Sequence, residues 1–426
     1  DDRYRTDLFQ VRRGEPLAVI RPASTEDVSK ALAICYNHRQ PVVTQGGMTG
    51  LVDGAVPVAG EIVLTLERMR EVVEVDDVAG TLTVQAGIRL QEVQEIADEN
   101  GFFFPLDIGA RGSCTIGGNL ATNAGGNRVI RYGMMRDLTL GLEVVLADGT
   151  LIDSRVKTIK NNTGYDLRHL FIGSEGTLGV ITGAVLRLHP KPISQSVAFC
   201  GLESFSAVTD LLHHLRSRLS GTLSAFEVIW QNAYRAVIEH VPTVRAPLAP
   251  EFPYYVLVES LGGDSEADGD YFNTVLHDAL EKDLVTDAVV ARSRKEVDGI
   301  WAIRDGIPEA LLALRPVINY DISIPLADMD AMARRVNETL DAAFPGHVTL
   351  DFGHIGDGNL HISTTVGEDT KNHQSQLDDI IYDLTEQLDG SISAEHGIGF
   401  LRRPFLGKSR SPQELSLMRS LKRALD

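Results

Sequence analysis

Two rhythms of apolar and polar positions run along the chain. Between Leu17 and Leu66 the run LAVI, a capped segment with apolar residues at Val28, Ala31, Leu32 and Cys35, then PVVTQ and IVLTL predict strand, helix, strand and strand. EVVEVD and TLTVQAG read as short strands around a turn at Val78 to Gly80, with a helix from Leu90 to Asn100 behind them. TLGLEVVLADGTLID predicts a pair of strands turning at Asp148-Gly149, and VITGAVLRLHPKP closes this region near Pro190 to Pro192. Beyond it come a strand, an amphipathic helix from Ser204 to Leu219, the strand YYVLVES, a helix from Asp268 to Glu281 and the strand VTDAVVA. That order suits an α+β unit: an antiparallel sheet with helices on one face. The expected division is 1–191, 192–390 and 391–426.

Composition narrows the function classes. The 59 acidic against 40 basic residues give a formal charge of −19, which repels nucleic-acid phosphates and anionic lipid, so no nucleic-acid partner is expected. An anionic substrate then needs a local arginine or lysine. Cys35, Cys114 and Cys200 are far apart and form no CxxC, which points to a reducing compartment, either a bacterial cytoplasm or a space like the mitochondrial matrix. No apolar run is long enough for a transmembrane helix.

Three glycine clusters carry the first chemistry: QGGMTG at Gln45 to Gly50, GSCTIGG at Gly112 to Gly118, and IGSEGTLGVIT at Ile172 to Thr182. Successive backbone N–H groups in such loops bind phosphate oxygens, and missing side chains let a flat ring lie on the backbone. Each cluster alone could be a turn; three together point to a dinucleotide. The GxGxxG and GxxxxGK[ST] fingerprints are both absent, which leaves FAD in a different fold as the natural reading.

PVVTQGGMTGLVDGAVP, PLDIGARGSCTIGGNLATNAGG and NNTGYDLRHLFIGSEGTLGVIT resemble the FAD-binding domain of the vanillyl-alcohol oxidase superfamily over about residues 15 to 190. The resemblance implies a two-subdomain FAD-binding domain followed by a substrate, or cap, domain. It also implies that Gln45, Gly46, Gly47, Met48, Thr49 and Gly50 cradle the pyrophosphate. Ser113, Cys114, Gly117, Gly118, Thr122, Asn123 and Ala124 would line the flavin, and Glu175, Gly179 and Ile181 would hold the adenosine half or ribityl chain. Relatives that bind flavin covalently use His or Cys where this first loop offers only Met48 and Thr49, so FAD is expected to be non-covalent.

HIGDGNLH carries the second chemistry. Asp357-Gly358 between apolar flanks predicts a two-residue type I′ hairpin that places His354 directly opposite His361. Such a pair can be ordinary packing or can share a divalent ion. SAEHGIG adds a carboxylate and an imidazole, and His354, His361 and Glu395 together leave open coordination positions, as a catalytic Zn or Mn site requires. His396 is then the candidate general base for a substrate hydroxyl. Arg304, in WAIRDGIPEAL, offers a planar fork for a substrate carboxylate, or else an internal salt bridge with a residue such as Asp321.

WAIRDGIPEAL, YDISIPL, GHIGDGNLHI and SAEHGIGFLRR are similar to the C-terminal domain of FAD-linked D-lactate and D-2-hydroxyglutarate dehydrogenases. The resemblance implies His354, His361 and Glu395 as metal ligands, His396 as base and Arg304 as carboxylate anchor. It also places Asn319 and Ser363 at substrate-contacting positions. At Pro308, Asn319 and Ser363 the chain departs from the hydroxyglutarate pattern, losing a cationic contact at Asn319. The expectation is therefore a D-2-hydroxy acid in general, with electrons passed to an electron-transfer flavoprotein or a quinone. Oligomeric state stays open, a homodimer being one option. The competing expectation is a non-redox FAD transferase of the alkyl-dihydroxyacetonephosphate synthase type, against which the missing run of consecutive histidines argues. An electron-transfer subunit without a substrate site of its own is the third reading.

Overall fold

The computed structural model of the chain describes residues 2–8 and 10–426. These form two compact units. One comprises the chain up to Gly126, Tyr132–Lys191 and Glu395–Asp426; the other comprises Asn127–Arg131 and Pro192–Ala394.

The first unit opens with β1 (Ala18–Ile20), α1 (Thr25–Asn37), β2 (Val42–Gln45) and β3 (Ile62–Thr65). The three strands make a parallel sheet in the order β1-β3-β2, and Ser24 caps α1 by accepting the Asp27 N–H. Next come β4 (Val72–Asp76), β5 (Thr81–Gln85), α2 (Leu90–Glu99), α3 (Ile116–Thr122), β6 (Thr139–Val145), β7 (Leu151–Ser154) and β8 (Val180–Arg187). The strands form a five-stranded antiparallel sheet in the order β4-β5-β8-β6-β7. β6 and β8 are buried along nearly their whole length, and Leu82, Val84, Val93, Ile116, Leu142 and Ala184 close one core. The turn after β6 falls at Asp148-Gly149 as the pattern predicts, with Gly149 at φ +87°.

The second unit runs β9 (Ser194–Leu202), α4 (Phe205–Leu219), β10 (Leu223–Trp230), α5 (Gln231–His240), β11 (Tyr254–Gly262), α6 (Ala267–Glu281) and β12 (Asp287–Val290). It continues with α7 (Arg294–Asp305), α8 (Ile307–Ala313), β13 (Ile318–Ser323), α9 (Met329–Ala343), β14 (Val348–Gly353), β15 (Asn359–Thr365) and α10 (Gln374–Gln387). The seven strands build one antiparallel sheet in the order β12-β9-β11-β10-β14-β15-β13. The antiparallel sheet is as expected, but helices cover both of its faces instead of one. Alternation along β9 explains this: Val197 and Phe199 pack with α5, α7 and α8, whereas Ala198 and Cys200 are equally buried on the side of α4 and α6. β10, LSAFEVIW, is buried at every position and lies in the middle of the sheet, although its pattern had predicted no strand of its own.

Within this core one acid stands apart from any site chemistry. Asp351 on β14 is fully buried, accepts from Asn232 Nδ2 at 2.8 Å and Asn337 Nδ2 at 3.3 Å, and leaves Oδ1 without a partner. Burial pushes its carboxyl up to about 6, against the lowering effect of the two asparagines. The folded-state value lies above the unfolded one, so the neutral form's contribution to stability is complete below about pH 4 and is lost as pH rises through about 6. An Asp351→Asn protein is expected to gain melting temperature over the parent between those values and to hold a gain of roughly 1–3 kcal/mol above them. Thermal melts across pH check this; a pH-independent difference contradicts it.

Candidate active site

The glycine loops of the first unit meet around α3. A Cβ on Gly46 would lie 2.6 Å from Thr115 Oγ1, and one on Gly47 would lie 2.2 Å from Ser113 O, so Gln45–Gly50 and Gly112–Gly118 run backbone against backbone. The third cluster joins at the other end of the helix: Gly173 and Glu175 donate their N–H groups to Leu120 O at 3.0 Å and Ala121 O at 2.8 Å. Met48 and Asn123 both hold left-handed backbone, at φ +53° and +52°. Gly50 has open space where a side chain would be. These narrow approaches, with open space beside Gly50, suit a dinucleotide laid along main chain.

The expected cofactor residues divide in this frame. Gly46, Gly47, Met48, Thr49, Gly117, Gly118, Thr122 and Asn123 lie on the partly open surface of the loops, with Gly50 and Ser113 exposed. Gln45 instead turns inward, donating to Tyr4 O at 3.0 Å and Ala55 O at 2.8 Å, and so fixes the loop from behind. Cys114, Ala124, Gly179 and Ile181 are buried, the last in β8 paired with Val144. The Glu175 carboxylate is taken by backbone amides of Ile398 and Gly399.

Glu395 and His396 belong to this first unit. Glu395 Oε1 accepts the Gly126 N–H at 2.7 Å, two residues beyond Ala124 of the expected flavin-lining loop. Gly126 needs to be glycine for this: its φ is +114°, and a Cβ would lie 2.2 Å from Asp107 O.

In the second unit the histidines converge by a route other than the one their spacing suggested. β14 and β15 pair with Phe352, not His354, opposite His361. The type I′ hairpin does not form. Asp357 is not in the left-handed region; Ile355–Asp357 make a 3-10 turn closed by Gly358 at φ +93°, and the loop is longer than two residues. The register differs from the expected one by two, and a shift of two preserves the face. His354 therefore still lies on the side of His361, their ring centroids 5.4 Å apart and their planes at 81°.

Two buried carboxylates stand beside these rings. His354 Nδ1 lies 2.5 Å from Glu227 Oε1, and His361 Nδ1 lies 3.8 Å from Asp321 Oδ1. Glu227 holds His354 through Nδ1, whereas the His361–Asp321 approach is longer than a hydrogen bond; His354 Nε2 lies 3.4 Å from Arg304 Nη2. Asp321 is itself held by Asn359 Nδ2 at 2.9 Å. Its backbone oxygen accepts the Ala394 N–H at 3.2 Å, so the chain leaves this unit beside His361 with Glu395 as the next residue.

Arg304, on α7, pairs with Glu227 and not with Asp321: Nε donates to Glu227 Oε2 at 2.8 Å, and the guanidinium stacks 4.9 Å from the Phe352 ring centre. Nε donates to Glu227, and the terminal Nη2 lies 3.4 Å from His354 Nε2 on the face that carries the histidines. Burial alone raises the Glu227 carboxyl, but His354 and Arg304 outweigh it and hold it below the usual carboxylate range. Asn319 and Ser363 are direct cross-strand partners two residues from Asp321 and His361 on the same face. Ser363 is buried, and Asn319 Oδ1 has no hydrogen-bond partner.

Glu227 escaped the reading of the sequence. Its signal was present: an acid inside the wholly apolar run SAFEVIW must be paired if buried. Glu259 in YYVLVES carries the same signal and holds Arg128 through Nε at 2.9 Å and Nη2 at 3.2 Å, with Ser224 and Gln195 as further donors.

A domain model described as FAD binding domain matches residues 16–155, and one described as FAD linked oxidases, C-terminal domain, matches residues 191–426. The chain belongs to the family of FAD-linked oxidases. It is 41% identical over 420 residues to the mitochondrial D-2-hydroxyglutarate dehydrogenase of Bos taurus, covering 99% of this chain and 76% of that one. Among solved structures it is similar to p-cresol methylhydroxylase (TM-score 0.77, 16% identity, 99% of this chain and 89% of that one). It is also similar to alkyldihydroxyacetonephosphate synthase (TM-score 0.74, 18% identity, 96% and 75%). The vanillyl-alcohol-oxidase-type fold read from the glycine motifs is borne out. No helix among the described residues is long and apolar enough to cross a membrane.

Proposed function

We propose that this chain is an FAD-linked D-2-hydroxy acid dehydrogenase that oxidises the hydroxyl carbon to the 2-oxo acid and passes electrons to an acceptor other than NAD, an electron-transfer flavoprotein or a quinone. The observation that carries the reading is the pair of converging imidazoles, His354 held through Nδ1 by buried Glu227 and His361 with Nδ1 3.8 Å from buried Asp321. Such an arrangement suits a divalent cation. His354, His361 and Glu395 would hold it, as zinc or manganese, a donor set of two nitrogens and one oxygen that suits either. The glycine loops around α3 would hold FAD without a covalent bond, because no His or Cys stands at Met48 or Thr49. When bound, FAD supplies the two-electron acceptor and the cation a Lewis acid for the substrate hydroxyl oxygen.

The protein's own groups do the rest. The terminal edge of Arg304 pairs with the substrate carboxylate, fixing which face of the hydroxyl carbon is presented. His396 takes the hydroxyl proton. Asn319 and Ser363 face the remainder of the acid with neutral groups, which favours D-2-hydroxy acids in general over a dicarboxylate alone. The mitochondrial relative fits a matrix-like compartment.

Metal analysis of the purified protein is expected to give about one zinc or manganese per chain. Anaerobic bleaching of the flavin by D-lactate, D-malate or D-2-hydroxyglutarate is expected to vanish on chelation and return with the metal. Bleaching that survives complete metal removal overturns the role of the cation.

A further inference from the structure

We propose that Glu175 is a positioning residue for His396: its carboxylate latches the turn that follows the base. The proposal rests on reading His396 as the proton acceptor. Every contact it uses lies within the first unit.

Both carboxylate oxygens are spent on consecutive main-chain amides. Oε1 accepts the Ile398 N–H at 2.8 Å and Oε2 the Gly399 N–H at 2.9 Å, each a charge-assisted bond. Glu175 is itself fixed, since its own N–H donates to Ala121 O at 2.8 Å and its backbone is held at φ +52°. The turn is closely packed at both of its glycines. Gly397 sits at φ +81°, where a Cβ would lie 2.9 Å from the Glu175 carboxyl carbon. Gly399 sits at φ +48°, where a Cβ would lie 2.1 Å from Val52 O, and that same oxygen accepts the Phe400 N–H at 2.9 Å. On the other side of His396, Glu395 is tied to Gly126. His396 is thus strung between two anchored points: a glutamate that accepts from the flavin-lining loop, and a turn that donates to Glu175.

The resemblance to other flavoproteins had implied that Glu175 touches the cofactor. With both oxygens engaged by Ile398 and Gly399, its effect is expected on the base and not on FAD affinity. The two roles separate cleanly in the FAD-loaded protein.

The test compares Glu175→Ala and Glu175→Gln with the parent in three measurements: FAD affinity by titration, the rate of flavin reduction at saturating D-2-hydroxy acid, and amide hydrogen exchange at Ile398 and Gly399. FAD affinity and KM are expected to stay within about twofold, while the reduction rate falls about a hundredfold in Ala, with about tenfold in Gln, which keeps one acceptor oxygen. Exchange at Ile398 and Gly399 is expected to accelerate in both, with β6 and β8 unchanged. A fall in FAD affinity with an unchanged reduction rate of the loaded protein overturns the proposal, making Glu175 a cofactor contact. Unchanged exchange in Glu175→Ala overturns the latch itself. If the parent reduces no flavin with any acid, the dehydrogenase reading fails, and exchange alone decides whether Glu175 holds the turn.

Discussion

Flavin reduction in a His396→Ala protein is expected to fall about a thousandfold, with FAD content, metal content and melting temperature close to those of the parent. The expectation follows from where the residue sits. His396 is partly exposed, so its removal opens no core cavity. Its neighbour Glu395 keeps the bond to Gly126, and Ile398 and Gly399 keep Glu175, so the backbone of the turn survives the substitution. What is lost is a proton acceptor for the hydroxyl group. Rapid-mixing anaerobic kinetics measure this directly; a fall of less than about tenfold removes His396 from the proton transfer.

Glu227→Ala is expected to have the second large effect, and of a different kind. Glu227 is wholly buried and joins Arg304 Nε to His354 Nδ1. Removing it leaves a guanidinium in a core pocket without its counter-charge, a defect that costs about 3–5 kcal/mol of stability. Glu227→Gln separates fold from function. The amide retains one acceptor oxygen but presents an NH2 group to the second partner, and both partners bring N–H groups, so one of the two contacts must break. The glutamine protein is expected to fold, to bind metal about 10- to 100-fold more weakly, and to show raised KM for the acid because Arg304 loses its tether. Metal titration beside a thermal melt distinguishes the two variants. Unchanged metal affinity in Glu227→Gln contradicts the role assigned to this carboxylate.

Parts of the site leave a mark in the sequence and parts do not. The glycine loops were legible because backbone approach leaves a compositional mark: nothing but glycine fits at Gly47 or Gly126. The histidine pair was legible for its parity and not for its turn. A type I′ loop would need Asp357 in the left-handed region, whereas the chain takes a 3-10 turn and reserves the positive φ for Gly358. The two-residue change of register kept His354 on the correct face, so a wrong turn still gave a correct pair. Arg304 was legible as a carboxylate-pairing group, but Asp321 was the wrong partner to name. The choice between Asp321 and Glu227 depends on how β10 is threaded into the middle of the sheet, and no local pattern carries that long-range pairing. β10 itself was overlooked because buried central strands lack alternation. Helices on both faces of the sheet follow from the same fact.

The most direct measurement is anaerobic mixing of the FAD-loaded, metal-loaded protein with the two enantiomers of a 2-hydroxy acid, followed by the absorbance of the oxidised flavin. Bleaching by the D acid with release of the 2-oxo acid, and none by its L partner, is the predicted result. A flavin that stays oxidised with every D-2-hydroxy acid, in protein shown to hold both FAD and metal, contradicts the central claim.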